Sequence, residues 1–158
     1  VYQKILVPLD GSTIAESVLP HVQKIAQGSP GVEIILFRVC EPPVLLADYP
    51  ADLRTEWRKH VEEETGHMQV QCRLYLSDAE KKLRESGLKI TTESSLGSNV
   101  AEQITDYAAK NNVDLIVLAT HGRSGIARWA FGSTANKVLQ SSKIPVMVIR
   151  PGESKKNG

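Results

Sequence analysis

The sequence predicts an α/β fold, a single doubly wound parallel sheet with helices on both faces. Three observations carry this. Short apolar runs of strand length alternate with stretches whose apolar residues recur at threes and fours. Several of those runs are apolar at every position, as strands covered on two faces must be. No internal repeat, low-complexity block or linker divides the chain, and 158 residues suit one domain with a good core.

Gln3 to Leu9 reads as a buried strand. Pro8, near its end, is tolerable only where a ladder hydrogen bond is not needed. Asp10-Gly11-Ser12 follows as a turn, with Ser12 a plausible N-cap. The next helix carries Ala15, Val18, Leu19, Val22, Ile25 and Ala26 on one stripe, and Pro20 inside it predicts a local kink. Glu33 to Val39 is a second strand. Cys40 to Pro50 is a proline-bearing loop. A long helix follows, with Leu53, Trp57, Val61, Met68, Cys72, Leu76, Ala79 and Leu83 as its stripe. Gly66 is a candidate bend and Gly87 the stop.

Lys89 to Glu93 is a third strand, more polar and expected at a sheet edge. Ser98 is the expected cap of a helix whose inner face is Val100, Ile104, Tyr107 and Ala108. Asp114 to Ala119 is the fourth strand. A helix from Ser133 to about Gln140 and a strand from Ile144 to Ile149 complete the domain, which spans residues 1–150. Pro151 to Gly158 is polar and reads as a frayed, flexible tail.

Net charge is +1, too small for a surface that binds nucleic acid by releasing counterions. The two cysteines, Cys40 and Cys72, have no metal-binding spacing; a disulfide is not expected, and both read as buried small hydrophobes. The chain starts almost at once in a strand pattern, and no apolar run approaches a membrane span. A soluble cytoplasmic protein without membrane partners is expected.

The stretch from Asp114 to Ala135 has the order strand, glycine-bearing loop, helix N-terminus. That order suits an anion. Glycines let backbone N–H groups approach a phosphate, and the first N–H groups of a helix lack internal partners. Ser133 and Thr134 add hydroxyls. The Walker lysine is absent, and so is the Gly-x-Gly-x-x-Gly fingerprint. Gly122-Arg123-Ser124-Gly125 by itself reads better as a plain turn than as a phosphate motif.

Gly122, nine residues, then Gly132-Ser133 resembles the nucleotide loop of the universal stress protein family. Its ATP-binding members have Gly, two residues, Gly, nine residues, Gly, then Ser or Thr. Ala119 stands where that motif has its first glycine. The opening strand and turn, Lys4 to Ser12, and the closing strand, Lys143 to Arg150, also resemble the family, so the likeness covers nearly the whole chain. It implies the strand order 3-2-1-4-5 of the Rossmann-like adenine nucleotide alpha hydrolase fold. It also implies ATP or AMP as ligand and a homodimer through the Ile144–Ile149 strand.

With that order, strands one and four lie side by side and their carboxyl ends share one crevice. Asp10 is then placed to accept from ribose hydroxyls, where the bare sequence reads equally as an Asx turn. Pro8, Leu9 and Val39 offer apolar surface to adenine. Gly122, Gly125, Gly132, Ser133 and Thr134 fall to the phosphates, and Ala119, at the motif's first glycine, sets a Cβ beside phosphate or ribose. Arg123 can donate to phosphate, and reads equally as a solvated loop arginine; His121 can lean on phosphate or ribose, though a structural or backbone role is the better reading.

No catalytic lysine, base or paired metal carboxylates appear, so an enzyme is not expected. Slow hydrolysis with Mg²⁺ is conceivable, and nothing in the residues indicates it. His60, Glu64 and His67 share a helical face but lie among other charges, and a solvated face is the better reading. The leading expectation is an adenine-nucleotide-binding stress or energy-state sensor. The alternatives are a homodimeric interaction module with an empty crevice and, last, a small enzyme using His121.

Overall fold

A computed structural model describes residues 1–43, 52–84, 87–120 and 132–151. Its elements are β1 (Lys4–Pro8), α1 (Thr13–Glu16), α2 (Leu19–Gln27), β2 (Glu33–Cys40), α3 (Arg54–Arg84), β3 (Lys89–Leu96), α4 (Val100–Lys110), β4 (Leu115–Ala119), α5 (Ser133–Ser141) and β5 (Val146–Ile149). The five strands form one parallel sheet in the order β3-β2-β1-β4-β5, as expected.

Alternation along the inner strands sorts the core into two layers. Ile5, Val7, Ile34, Leu36, Leu115 and Val117 face α2 and α3, meeting Val22, Leu76, Ala79 and Leu83. Leu6, Ile35, Phe37, Ile116 and Leu118 face α4 and α5, meeting Ile104, Ala108, Ala135 and Val138. Phe37 stacks on Tyr107 with ring centroids 4.5 Å apart. Both layers are aliphatic in the main, and burying one such side chain contributes roughly 1.5–3 kcal/mol.

Four expectations need correction. The helix with a kink at Pro20 is two helices. Pro20 offers no N–H, and its ring would press on the carbonyl of Glu16; α1 therefore ends at Glu16, and α2 restarts with the proline in its first turn. The cap of α4 is Asn99, not Ser98, and its side chain donates to Glu102 rather than to the helix backbone. β3 runs on to Leu96, because β2 offers it a partner at every position as far as Cys40. Cys40 and Cys72 are not separate hydrophobes. They are joined as a disulfide, with Cα atoms 6.7 Å apart.

α3 is continuous for 31 residues, straight through Gly66. Cys72, Leu76, Ala79 and Leu83 are its buried stripe, with Val61 nearer the start; Leu53, just before it, is 43% exposed. Among the described residues no helix is long and apolar enough to cross a membrane. The tail expected to fray, residues 152–158, lies outside the described residues.

Candidate functional site

The switch point of the sheet is built by β1 and its two neighbours. β1 pairs with β2 from Lys4 to Pro8, but with β4 only at Ile5↔Leu115 and Leu6↔Ile116. The cause is Pro8. The Leu9 N–H donates to the Phe37 carbonyl of β2 (2.8 Å), and the Lys4 carbonyl accepts from Asp114 on the other side (3.0 Å). Backbone groups alternate sides along a strand, so odd residues bond toward β2 and even ones toward β4. Pro8 falls on the β4 side and has no donor to give. The ladder stops there, and the carboxyl ends of the two strands are left unzipped.

A cavity of about 440 Å³ occupies this opening, within the usual size range of small-molecule sites. Eight of the residues expected to form a site line it together: Pro8, Leu9, Asp10, Val39, Ala119, Gly132, Ser133 and Thr134. His121, Gly122, Arg123 and Gly125 lie outside the described residues.

Each lining group has a local cause. Asp10 Oδ1 accepts from the Ser12 N–H at 2.9 Å, so the Asx turn is formed. Gly11 takes φ +91°, the left-handed region that an Asp-Gly turn needs. Ser12 Oγ then accepts from Ala15 N at 3.0 Å and caps α1. Across the cavity, Gly132 caps α5 without a side-chain hydrogen bond, and its carbonyl accepts from Asn136 at 2.9 Å. The N–H groups of Ser133, Thr134 and Ala135 precede the first internal bond of that helix, so they have no acceptor within it. Ser133 is exposed and Thr134 half-buried.

Arg38 also lines the cavity, and sequence reasoning passes over it. Its guanidinium lies 4.6 Å from the Tyr75 ring centroid, and a Cβ on Gly11 would come within 3.3 Å of it. The available signal is a lone charge inside the apolar run of β2. Burial pushes the Tyr75 hydroxyl well above its ordinary value, and the Glu16 carboxylate adds to this while Arg38 opposes it. Glu16 itself pairs with Lys82 of α3.

The His60, Glu64 and His67 face stays solvated: His67 Nδ1 is 4.0 Å from Glu64 Oε1, and both side chains are exposed. Among the described residues no cluster is arranged to hold a metal.

Chemically, the cavity offers an apolar wall, a carboxylate, a guanidinium and the positive end of a helix. These features define a class: a doubly wound α/β protein with a switch-point crevice suited to a ligand that is flat at one end and anionic at the other. The model of the universal stress protein family matches residues 1–150, and the chain belongs to that family. Universal stress protein MJ0531 of Methanocaldococcus jannaschii is 30% identical over 150 residues, covering 95% of this chain and 83% of that protein. The solved structure of MJ0577, from the same organism, superposes with a TM-score of 0.77 at 25% identity, over 97% of this chain and 99% of the other. A universal stress protein from Archaeoglobus fulgidus, solved in complex with dAMP, shares the fold with a TM-score of 0.60 at 22% identity, over 94% and 98% of the two chains.

Proposed function

We propose that this protein binds an adenine nucleotide, AMP or ATP, in the crevice beyond β1 and β4, and serves as a stress or energy-state sensor rather than an enzyme. One observation carries the reading. The N-terminus of α5, whose Ser133 and Thr134 amides have no acceptor within the helix, lines the same cavity as Asp10 and the apolar residues Pro8, Leu9 and Val39. Phosphate would sit on the helix end, ribose hydroxyls on Asp10, and adenine against the apolar wall. The same fold accommodates an adenine nucleotide in the Archaeoglobus fulgidus protein.

A thermal-shift series with ATP, AMP, cyclic AMP and GTP tests this. A ligand at about a hundred times its dissociation constant stabilises the folded chain by roughly 2.7 kcal/mol. Gly132→Asp sets a carboxylate against the phosphate position and is expected to abolish the shift. No shift with any nucleotide at millimolar concentration would sink the reading. It would favour the second one, an interaction module with a vacant crevice. Ala119 supports that alternative, because it brings a Cβ to the cavity wall where the motif has glycine.

Either reading includes a homodimer through β5. Val146 to Ile149 are only half-buried, at an edge of the sheet. Sedimentation showing monomer alone at micromolar concentration would refute the dimer.

A further inference from the structure

We propose that Cys40 and Cys72 are a reversible dithiol–disulfide pair whose redox state is coupled to occupancy of the crevice. The coupling rests on the nucleotide reading above; the redox pair itself does not.

Three observations point to it. These are the only two cysteines of the chain, and they are bonded to each other, so no third thiol competes. Both are almost wholly buried, at 1% and 2% exposure, and both line the crevice, which makes its wall their approach to solvent. Finally, the bridge pins two elements that form that wall. Cys40 is the last residue of β2, next to Val39 of the apolar surface, and its carbonyl accepts from Gly97 at 3.0 Å. Cys72 sits on the buried stripe of α3.

The chemistry is thiol–disulfide exchange. A reductant thiolate attacks one sulfur of the bridge, forms a mixed disulfide and expels the other cysteine as thiolate, which takes a proton from water. A second reductant thiolate attacks the reductant's own sulfur in the mixed disulfide and releases the remaining cysteine, which is protonated in turn. Two electrons and two protons reach the pair, and two reductant thiols leave as one disulfide. A low-molecular-weight disulfide such as oxidised glutathione drives the reverse.

Two couplings follow. A nucleotide in the crevice lies across the path of the attacking thiolate and slows exchange. Opening the bridge releases the end of β2 from α3, so the wall is no longer preorganised and affinity falls. Linkage makes the second effect reciprocal: the factor by which oxidation improves affinity is the factor by which nucleotide shifts the pair toward the disulfide.

The full chain is equilibrated across a series of reduced-to-oxidised glutathione ratios, quenched with an alkylating agent and weighed by mass spectrometry. The expected result is a transition between doubly alkylated and unalkylated chain, without a stable singly glutathionylated form. With saturating AMP the midpoint should move toward more reducing ratios and the reduction rate should drop several-fold. A bridge that never forms, or one that resists dithiothreitol without denaturant, overturns the pair as a switch. AMP binding shown by thermal shift, with an unchanged midpoint and rate, overturns the coupling. If no nucleotide shifts the melting temperature, the functional reading and the coupling fall together, and the glutathione series still decides the pair. Because Cys40→Ser can perturb folding, Cys72→Ser is carried beside it. Both should lose the transition and bind AMP with the affinity of the reduced wild-type chain; binding as tight as that of the oxidised chain overturns the coupling.

Discussion

The carboxylate of Asp114 accepts from two backbone N–H groups at the start of the first strand, Oδ2 from Gln3, just before it, at 2.7 Å and Oδ1 from Lys4 at 3.1 Å. Asp114 N donates in return to the Lys4 carbonyl at 3.0 Å. A single side chain thus locks the register of β1 against β4 at the end opposite the crevice. With Pro8 breaking the ladder at the other end, the two strands are clamped below and open above.

Removing the clamp should cost stability without closing the crevice. Asp114→Ala leaves two N–H groups without their charged acceptor: the part-buried bond from Lys4 contributes about 1.5–3 kcal/mol, and the exposed one from Gln3 less, since water can replace it. Urea unfolding should show this as a lower midpoint, and Asp114→Asn should lose part of it. Any nucleotide-induced thermal shift should survive both changes.

Supplying the missing donor should do the reverse. Pro8→Ala restores an N–H on the side facing β4. Hydrogen exchange should find that new amide protected, a sign that the ladder has lengthened. The crevice would then narrow, and the AMP-induced shift should shrink. Fast exchange of the amide introduced at position 8 would refute the account of the opening.

Alkaline conditions should weaken the fold through Tyr75. Its hydroxyl is held above the ordinary value of 10.0, chiefly by burial. As pH rises past that value, the unfolded chain releases the proton while the folded chain retains it. Stability from this source is therefore complete below pH 10.0 and declines as pH climbs toward the raised folded value. Tyr75→Phe should flatten the decline relative to wild type in denaturation followed from neutral to strongly alkaline pH. Tyr107, raised for the same first reason, should contribute in the same direction.

Reduction should lower stability even in the absence of ligand. The bridge closes a sequence separation of 32 residues. A loop of that size restricts the unfolded chain by about 3–4 kcal/mol in the chain-entropy picture. Calorimetry of oxidised and reduced samples should differ in Tm by on the order of 10 °C. Equal values would refute the chain-entropy account of the bridge.

Most of the architecture is legible because β1, β2, β4 and β5 announce themselves by apolar runs, and the longer helices by a stripe; β3 is the polar exception. Strand order is not. Periodicity says that Leu115 to Ala119 is buried, but not that it lies beside β1; only the resemblance supplies that. The residues gathered at the crevice are readable for a related reason: they fall where a strand ends or a helix begins. Arg38 escapes because its position depends on Tyr75 and Gly11, both distant in sequence. The Cys40–Cys72 bridge escapes because spacing carries no information about which face of a 31-residue helix meets the end of a strand. Pro20 is visible but ambiguous, since a proline can bend a helix or begin a new one.

The two rims of the sheet differ in chemistry. β3 presents Lys89, Glu93 and Ser94 to solvent, whereas β5 is Val-Met-Val-Ile throughout. A charged rim repels strand addition and an apolar one invites it. Pairing of two copies along β5 would use up the inviting rim of each and turn both refusing rims outward. Growth by this route would halt at two chains, so the same asymmetry would guard such a dimer against extension into filaments.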